Sequence, residues 1–137
     1  RYFDSRLACL PVIWHGSLLQ DDLKELLASC DLYVFPTLAE GCARSAMEAM
    51  FAGLPVITTE ACGLPGVPGD HYCAVPVGNA ISLADEIARL GLNVVAREKL
   101  GRAGVMLAKS GHYTWESYGH NLAGIYGDLL EQRSRKL

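Results

Sequence analysis

Two glutamates flank a run of small residues in the first half of the chain. Glu40 and Glu48 stand on either side of GCARSAM, residues 41–47. If the whole interval were helical, the two carboxylates would lie ~12 Å apart along the axis and ~80° out of phase. A retaining glycosidase holds its two carboxyl groups only ~5 Å apart, so this pair is too widely spaced to act on one bond. The spacing favours contacts with different parts of one elongated ligand, such as an activated sugar.

The residues between the glutamates run from a loop into the first turn of a predicted helix. Unpaired backbone N–H groups and the positive end of the helix dipole meet at such a point, and together they favour phosphate binding. Small side chains at Gly41, Ala43 and Ser45 would let a ligand approach the backbone closely. Arg44 has two equally good interpretations, as a cation beside a diphosphate or as a side chain that faces solvent.

Each glutamate also has an ordinary structural interpretation. Glu40 could be an acid that favours a helix N-terminus, and Glu48 could be a solvated helical residue. Against this, the predicted helix SAMEAMFAG (45–53) is otherwise apolar and small, so an unpaired charge at Glu48 would be costly. A hydroxyl group of a ligand would satisfy that carboxylate.

Strands and helices alternate around this loop and would hold it at the edge of a sheet. The predicted strands are short apolar runs, at 10–16 (LPVIWHG), 32–36 (LYVFP), 54–59 (LPVITT) and 72–78 (YCAVPVG). The predicted helices cover 20–31, 45–53 with Gly53 as C-cap, 80–90, 96–108, and 114–132 with Thr114 as N-cap. This order predicts an α/β fold with a parallel, doubly wound sheet and additional C-terminal helices.

Composition and charge argue against several classes of protein. The 137 residues are 50% hydrophobic and 20% charged, which is typical of one globular domain. No apolar run reaches the ~18 residues of a membrane span. The net charge of −3, with RSRK as the one basic cluster, argues against nucleic-acid binding. The five cysteines lack metal-ligand spacing and are predicted to be buried, reduced thiols of a cytosolic protein.

The stretch PTLAEGCARSAMEAMFAGLPVITT (36–59) resembles the retaining glycosyltransferases of the GT-B fold, family four. Members of that family carry a Pro-Ser/Thr loop, a Glu, seven residues, a second Glu, and then an Ala-Met-x-x-Gly-x-Pro-Val-Ile/Val run. The flanking segments VIWHGSLLQDDLKELLASCDLYVFPT, HYCAVPVGNAISLADEIARL and YTWESYGHNLAGIYGDLL are similar to the family too. The resemblance therefore covers almost the whole chain.

The resemblance implies a binding site for a nucleoside diphosphate sugar. Glu40 would be the catalytic residue and would hydrogen-bond hydroxyl groups of the donor sugar. The backbone that lines the sugar would come from Gly41, Cys42 and Ala43. Arg44 and Ser45 would offer backbone N–H groups to the diphosphate at the helix start. Such a site stabilises the departing nucleoside diphosphate, because negative charge grows there as the glycosidic bond breaks.

The rest of the donor is assigned by the same resemblance. Glu48 would bind the ribose hydroxyls, while Gly16 and Leu18 would lie near the base. No metal and no cofactor are expected besides the substrate itself. Cys42 and Ala43 stand where the family often has Phe and Gly, so the wall that faces the sugar differs from the usual one.

The resemblance also implies that residues 1–137 form a single, incomplete domain. The acceptor domain, the first strands of the donor domain and the Arg and Lys that clamp the phosphates would all lie upstream. The chain alone is expected to be inactive, and apolar surface left uncovered could drive self-association of the fragment. An acceptor glycan, lipid or small molecule would bind through the missing domain. The expected location is cytoplasmic, with a peripheral position at a membrane left open for the full-length protein.

Two other functions remain alternatives. A sugar-nucleotide epimerase shares the overall fold, but it would need acid/base carboxylates and a His in the cleft, and no equivalent motif is present. A noncatalytic nucleotide-sugar-binding or interaction domain could also keep this fold. The presence of both Glu40 and Glu48 counts against that second alternative.

Overall fold

The computed structural model describes residues 11–134, which form a three-stranded sheet and five helices. The strands are β1 (Tyr33–Phe35), β2 (Val56–Thr59) and β3 (Cys73–Val75). The helices are α1 (Gln20–Ala28), α2 (Arg44–Phe51), α3 (Ala80–Gly91), α4 (Val94–Ala108) and α5 (Trp115–Ser134). The predicted fold class, α/β with a parallel sheet and C-terminal helices, is confirmed.

The sheet has the order β1-β2-β3, and both pairings are parallel. Tyr33 lies opposite Val56, and Ile57 lies opposite Cys73. All four residues of the central strand β2 are buried. The carboxyl ends of the strands therefore meet at one edge, which the β1–α2 loop (residues 36–43) follows directly.

Successive residues of β2 face two separate apolar clusters. Val56 packs in the cluster that contains Ala49 and Met50 of α2. Ile57, the next residue, packs in the cluster that contains Leu90 of α3 and Leu100 of α4. Because neighbouring side chains of a strand point to opposite faces, helices cover both faces of the sheet, as in a doubly wound fold.

The helix α2 ends in a glycine turn, one position away from the predicted C-cap. Ala52 is the C-cap, and Gly53 follows it with φ +87. The Gly53 N–H donates to the Met50 carbonyl at 3.0 Å, and the Leu54 N–H donates to the Ala49 carbonyl at 3.0 Å. These two bonds define a Schellman motif, in which glycine takes the left-handed position after the cap.

Side-chain oxygens cap the last three helices at their N-termini. The predicted cap of α5 is confirmed, because Thr114 Oγ1 accepts from the Ser117 N–H at 3.1 Å. Asn79 Oδ1 accepts from the Ser82 N–H of α3 at 3.0 Å, and Asn93 Oδ1 accepts from the Ala96 N–H of α4 at 2.9 Å. Each cap satisfies one N–H that has no partner inside its helix.

The predicted strand at 10–16 is wrong for the residues that the structure describes. Residues 11–16 are not in a strand, and Leu10 lies outside the described part. Val12, Ile13 and Trp14 are exposed. A strand exists only through hydrogen bonds to a neighbouring strand, and the sheet within 11–134 consists of β1, β2 and β3 without this segment. The apolar run alone could not reveal this.

The last helix, α5, carries apolar side chains without burying any residue against the rest of 11–134. Trp115 and Tyr118 contact each other edge to face, with ring centroids 5.9 Å apart. Among helices of the described part, none combines the length and apolar character that crossing a bilayer demands.

Gly101 provides a test of how α4 packs on the end of α2. A Cβ at Gly101 would overlap the carbonyl oxygen of Gly53 and lie 3.3 Å from its carbonyl carbon. We expect Gly101→Ala to lower the free energy of unfolding by about 1–3 kcal/mol, the usual cost of overpacking, and to lower Tm.

The matched control is Gly124→Ala in α5, where a Cβ would meet no described atom within 4 Å. Alanine there should leave Tm unchanged or raise it slightly, because alanine favours a helix over glycine by ~1 kcal/mol. Equal melting temperatures for the two variants would contradict this account of the α2–α4 contact.

Candidate functional site

The β1–α2 loop lies at the carboxyl edge of the sheet and is fixed by hydrogen bonds to the end of β2 and to the segment that follows it. Thr59 Oγ1 donates to the Thr37 carbonyl at 2.8 Å. Further along, the Glu40 N–H donates to the Ala61 carbonyl at 2.9 Å. Open α/β sheets bind ligands outside the carboxyl ends of their strands, so Glu40 lies on the edge where a ligand is expected.

The N-terminus of α2 has no side-chain cap. Ala43 is the N-cap residue, has an extended backbone and is itself buried. Its methyl group accepts no hydrogen bond, and the first turn of α2 contains no acidic residue. Arg44 and Ser45, which begin the helix, are exposed. The backbone N–H groups of Arg44 and Ser45 therefore belong to exposed residues at a helix start, where an anion is favoured.

Glu48 is paired within α2, so its charge does not depend on a ligand for a partner. Arg44 Nε lies 3.4 Å from Glu48 Oε1, four residues along the same helix. The Arg44 side chain is 85% exposed and that of Glu48 is 29% exposed. Arg44 thus faces solvent beside Glu48, and such an exposed pair contributes only about 0–1 kcal/mol. A ligand could displace it at small cost.

Glu48 borders a cavity of about 410 Å³ between α1 and α2. Its lining residues are Gln20, Leu23, Lys24, Leu27, Ala28, Glu48, Phe51 and Ala52. The cavity therefore has an apolar floor with a carboxylate, an amide and an ammonium group at its border. Sequence reasoning missed Gln20 and Lys24 as residues that line this cavity. Their spacing of four, on a helix that follows the predicted base-proximal loop, could have indicated them.

The predicted base-proximal residues lie just before α1. Gly16 has φ +67, which suits glycine, and Leu18 is half-buried. Leu19 is the N-cap residue of α1, so this loop leads into the helix that borders the cavity. Gly16 and Leu18 do not themselves line it. The structure thus brings Glu48 close to α1, while the remaining predicted residues, 40–45, form the loop and helix start.

Cys42 occupies the exposed part of the loop between Glu40 and α2. Its thiol donates to Met47 Sδ at 3.2 Å. Partial burial raises the pKa of the Cys42 thiol, and the nearby Cys62 raises it further. Cys42 is therefore a neutral thiol near pH 7 and a poor nucleophile. The prediction that the cysteines are buried fails for Cys30 and Cys42, which are exposed, while Cys62 and Cys73 are buried.

Size alone would favour a different cavity, of about 510 Å³, between β3, α3 and α4. Two of its charged groups, Glu86 and Arg89, already pair with each other. Arg89 Nη2 lies 2.7 Å from Glu86 Oε2, and hydrogen bonding to Arg89 lowers the pKa of Glu86. Arg89 Nη2 also donates to Cys73 Sγ at 3.3 Å. With these groups occupied, the loop and the start of α2 remain the better candidate site.

The described residues contain no cluster of three or more His, Cys, Asp or Glu side chains that could hold a metal ion. The acidic groups of the candidate site are Glu40 in the loop and Glu48 on α2. These carboxylates, with the backbone N–H groups at the start of α2, can hydrogen-bond a ligand.

Comparison with known proteins identifies the family. The family model described as glycosyl transferases group 1 matches residues 4–93, about two thirds of the chain. The chain belongs to this family. The prediction that the chain is related to group 1 glycosyltransferases is therefore confirmed, while retention and family four stay predictions.

Individual relatives agree with this assignment. Lipopolysaccharide glucosyltransferase WaaG of Escherichia coli K12 is 32% identical over 89 residues, which are 65% of this chain and 22% of the relative. MMP alpha-(1->4)-mannosyltransferase of Mycolicibacterium hassiacum is 31% identical over 114 residues, 81% of this chain and 28% of the relative. The chain thus spans about a quarter of the length of these relatives.

A solved structure shows the same fold. Sucrose-phosphate synthase from Thermosynechococcus elongatus superposes with a TM-score of 0.76 at 25% sequence identity. The match covers 88% of this chain and 31% of that one.

The raised pKa of Cys42 predicts how its thiol reacts. Alkylation by iodoacetamide requires the thiolate, so the rate at Cys42 should rise at a higher pH than the rate for free cysteine in the same buffers. Peptide mass spectrometry at each pH gives the rate for Cys42 separately from the other thiols. A midpoint at or below that of free cysteine would contradict the predicted environment of Cys42.

Proposed function

We propose that this chain carries the donor-binding part of a retaining glycosyltransferase, which transfers a sugar from a nucleoside diphosphate sugar to an acceptor. The observation that carries the proposal is the order of three features along one loop and helix. Glu40 lies at the carboxyl edge of the sheet, the uncapped start of α2 follows it, and Glu48 borders a cavity beyond. Sugar, diphosphate and ribose follow one another in the same order in the donor.

The diphosphate would bind at the first turn of α2. The backbone N–H groups of Arg44 and Ser45 begin this turn, and no side chain of Ala43 competes for them. A helix N-terminus carries roughly half a positive charge, which favours an anion there. The Arg44 guanidinium is exposed and only loosely paired with Glu48, so it can turn toward the diphosphate without losing a strong contact.

The sugar would lie over the loop, with Glu40 as the catalytic residue that binds its hydroxyl groups. Gly41 and Cys42 are exposed, so their backbone can line the sugar, whereas Ala43 is buried and supports the loop from below. Because Cys42 keeps its proton near neutral pH, it offers a polarisable neutral wall and no competing nucleophile.

The ribose would bind to Glu48, with the base toward α1. The Glu48 carboxylate can accept hydrogen bonds from two neighbouring hydroxyl groups, which are the groups that a ribose presents. Apolar residues of the cavity, such as Leu23 and Leu27, would pack against the flat base. Gly16 and Leu18 precede this helix and would border the base from its other end.

Catalysis at this site is electrostatic. As the glycosidic bond breaks, negative charge grows on the departing nucleoside diphosphate, and the α2 N-terminus would stabilise that charge. No metal or cofactor takes part in this proposal. The acceptor, a glycan, lipid or small molecule, would be held by parts of the full-length protein that this chain does not include.

The ribose role of Glu48 predicts which variant loses the nucleotide. In calorimetric titrations of the full-length protein with UDP, GDP and ADP, we expect one nucleotide to bind. Glu48→Ala should weaken that binding by about tenfold or more, because hydrogen bonds to a charged group contribute about 1.5–3 kcal/mol.

The matched control is Glu98→Ala. Glu98 on α4 pairs with Arg102, four residues along the helix, at 3.2 Å. This matches the spacing of Glu48 and Arg44, but Glu98 lies away from the candidate site. Its loss should leave nucleotide affinity unchanged. Binding of none of the three nucleotides by the folded full-length protein would contradict the donor-site proposal.

The catalytic role of Glu40 predicts a separate effect on turnover. Glu40→Gln should lower kcat by roughly tenfold to a thousandfold, as loss of a group aligned with the reacting sugar does, and leave affinity for the free nucleotide unchanged. The rate of nucleoside diphosphate release in the presence of donor and acceptor measures kcat, and EDTA should not reduce that rate. Nucleotide-sugar binding without any turnover would favour the noncatalytic alternative, and epimerised donor would favour the epimerase.

A further inference from the structure

We propose that Gly63 is a positioning residue for the sugar-binding part of the site, and that it acts by fixing the backbone of Glu40 and Gly41. This inference rests on the proposed function. Gly63 lies in the loop after β2 and would touch no substrate itself. Its role follows from how closely that loop approaches the β1–α2 loop.

Residues 59–63 form a support that meets the β1–α2 loop at three successive points. Near the start, the Thr59 hydroxyl group donates to the Thr37 carbonyl at 2.8 Å. In the middle, the Ala61 carbonyl accepts from the Glu40 N–H at 2.9 Å. At the end, Gly63 packs directly against the carbonyl of Gly41. The support thus follows the loop from its start to the residue after the catalytic glutamate.

The third contact is possible only for glycine. A Cβ at Gly63 would overlap the Gly41 carbonyl oxygen and lie 2.9 Å from its carbonyl carbon and 3.0 Å from the Glu40 carbonyl oxygen. All three atoms belong to backbone, which cannot rotate aside as a flexible side chain can. Gly63 also has φ +63, where other residues are strained. Any other residue must push the loop at Glu40 and Gly41 or move the support.

The displacement would affect one half of the site. Glu40 and Gly41 lie on the loop itself, whereas Glu48 lies on α2, which is anchored by the buried residues Ala46, Ala49 and Met50. A shift at Gly41 therefore misplaces the group that contacts the sugar and leaves the ribose contact in place. Since catalytic geometry tolerates only small errors, an ångström of displacement is enough to matter.

The test compares Gly63→Ala with Gly69→Ala in the full-length protein. Gly69 lies in the same interstrand loop with φ +89, but a Cβ there would meet no described atom within 4 Å apart from its chain neighbours. Both substitutions introduce the same kind of backbone strain, and only Gly63→Ala introduces the overlap with Gly41. The readouts are affinity for the free nucleoside diphosphate, affinity for its sugar conjugate, and kcat.

For Gly63→Ala we expect unchanged affinity for the nucleoside diphosphate, but about tenfold weaker binding of the sugar conjugate, as when one hydrogen bond to a charged group is misplaced. We expect kcat to fall by roughly tenfold or more. Gly69→Ala should match the wild type in all three. Equal behaviour of the two variants, or an equal loss of nucleotide and nucleotide-sugar binding in Gly63→Ala, would overturn the proposal.

A second pair of variants tests the support if Gly63→Ala does not fold. Thr59→Val removes the hydroxyl group bonded to Thr37 in the loop, while Thr58→Val removes an equivalent bond, of 2.8 Å, to Phe35 inside β1. Both threonines are buried, so the two substitutions match in environment. Thr59→Val should weaken binding of the sugar conjugate more than that of the nucleotide, and Thr58→Val should not. If Thr59→Val weakens nucleotide binding more than binding of the sugar conjugate, or if the two threonine variants do not differ, the role of the support is overturned.

These outcomes separate the inference from the function on which it rests. If the wild-type protein binds no nucleotide sugar, both the proposed function and the role of Gly63 are wrong. If the wild-type protein binds a nucleotide sugar and Gly63→Ala and Gly69→Ala are indistinguishable, the proposed function stands and only the role of Gly63 is wrong.

Discussion

The parallel pairing of β1 with β2 is the constraint on which the rest of the structure depends. β2 is the central strand and is buried on both faces, so its position is set by apolar packing against helices on either side. Its carboxyl end then carries two buried threonines, Thr58 and Thr59, whose hydroxyl groups donate to Phe35 and Thr37. Each hydroxyl must find an acceptor, because a buried polar group without a partner is costly. The core strand therefore also fixes the path of the chain that leaves β1.

Helix α2 divides its residues between the core and the candidate site. Ala46, Ala49 and Met50 face the core, while Arg44 and Glu48, four residues apart, share the outer face. Because the core residues of this helix are mostly small, α2 can lie close to β2 and bring its N-terminus to the sheet edge. The Schellman turn at its other end returns the chain into β2 within a few residues. Both ends of α2 are thus held by elements of the same core.

Local patterns were predictable from the sequence, and long-range contacts were not. The alternation of elements from α1 onward and the cap at Thr114 depend on residues a few positions apart. The structure has both, with element ends that differ from the predicted ones by up to three positions. The segment 11–16 was assigned wrongly, because an apolar run does not reveal whether a partner strand lies beside it. The pairing of Glu48 with Arg44 could have been anticipated from their spacing of four. The contact of Thr59 with Thr37 joins residues 22 positions apart, and no periodicity in the sequence encodes it.

The contacts that hold the β1–α2 loop are made by backbone atoms of the loop rather than by its side chains. Thr37 contributes a carbonyl, Glu40 an N–H and Gly41 a carbonyl, so none of these contacts requires a particular side chain within the loop. Ala43 is constrained, because it is buried in the apolar cluster that contains Ala46 and Ala49. Cys42 is exposed, and its thiol donates to Met47 Sδ in a hydrogen bond that stabilises weakly. A loop supported through its backbone can therefore change the residue at position 42, and with it the surface facing a ligand, without losing its shape.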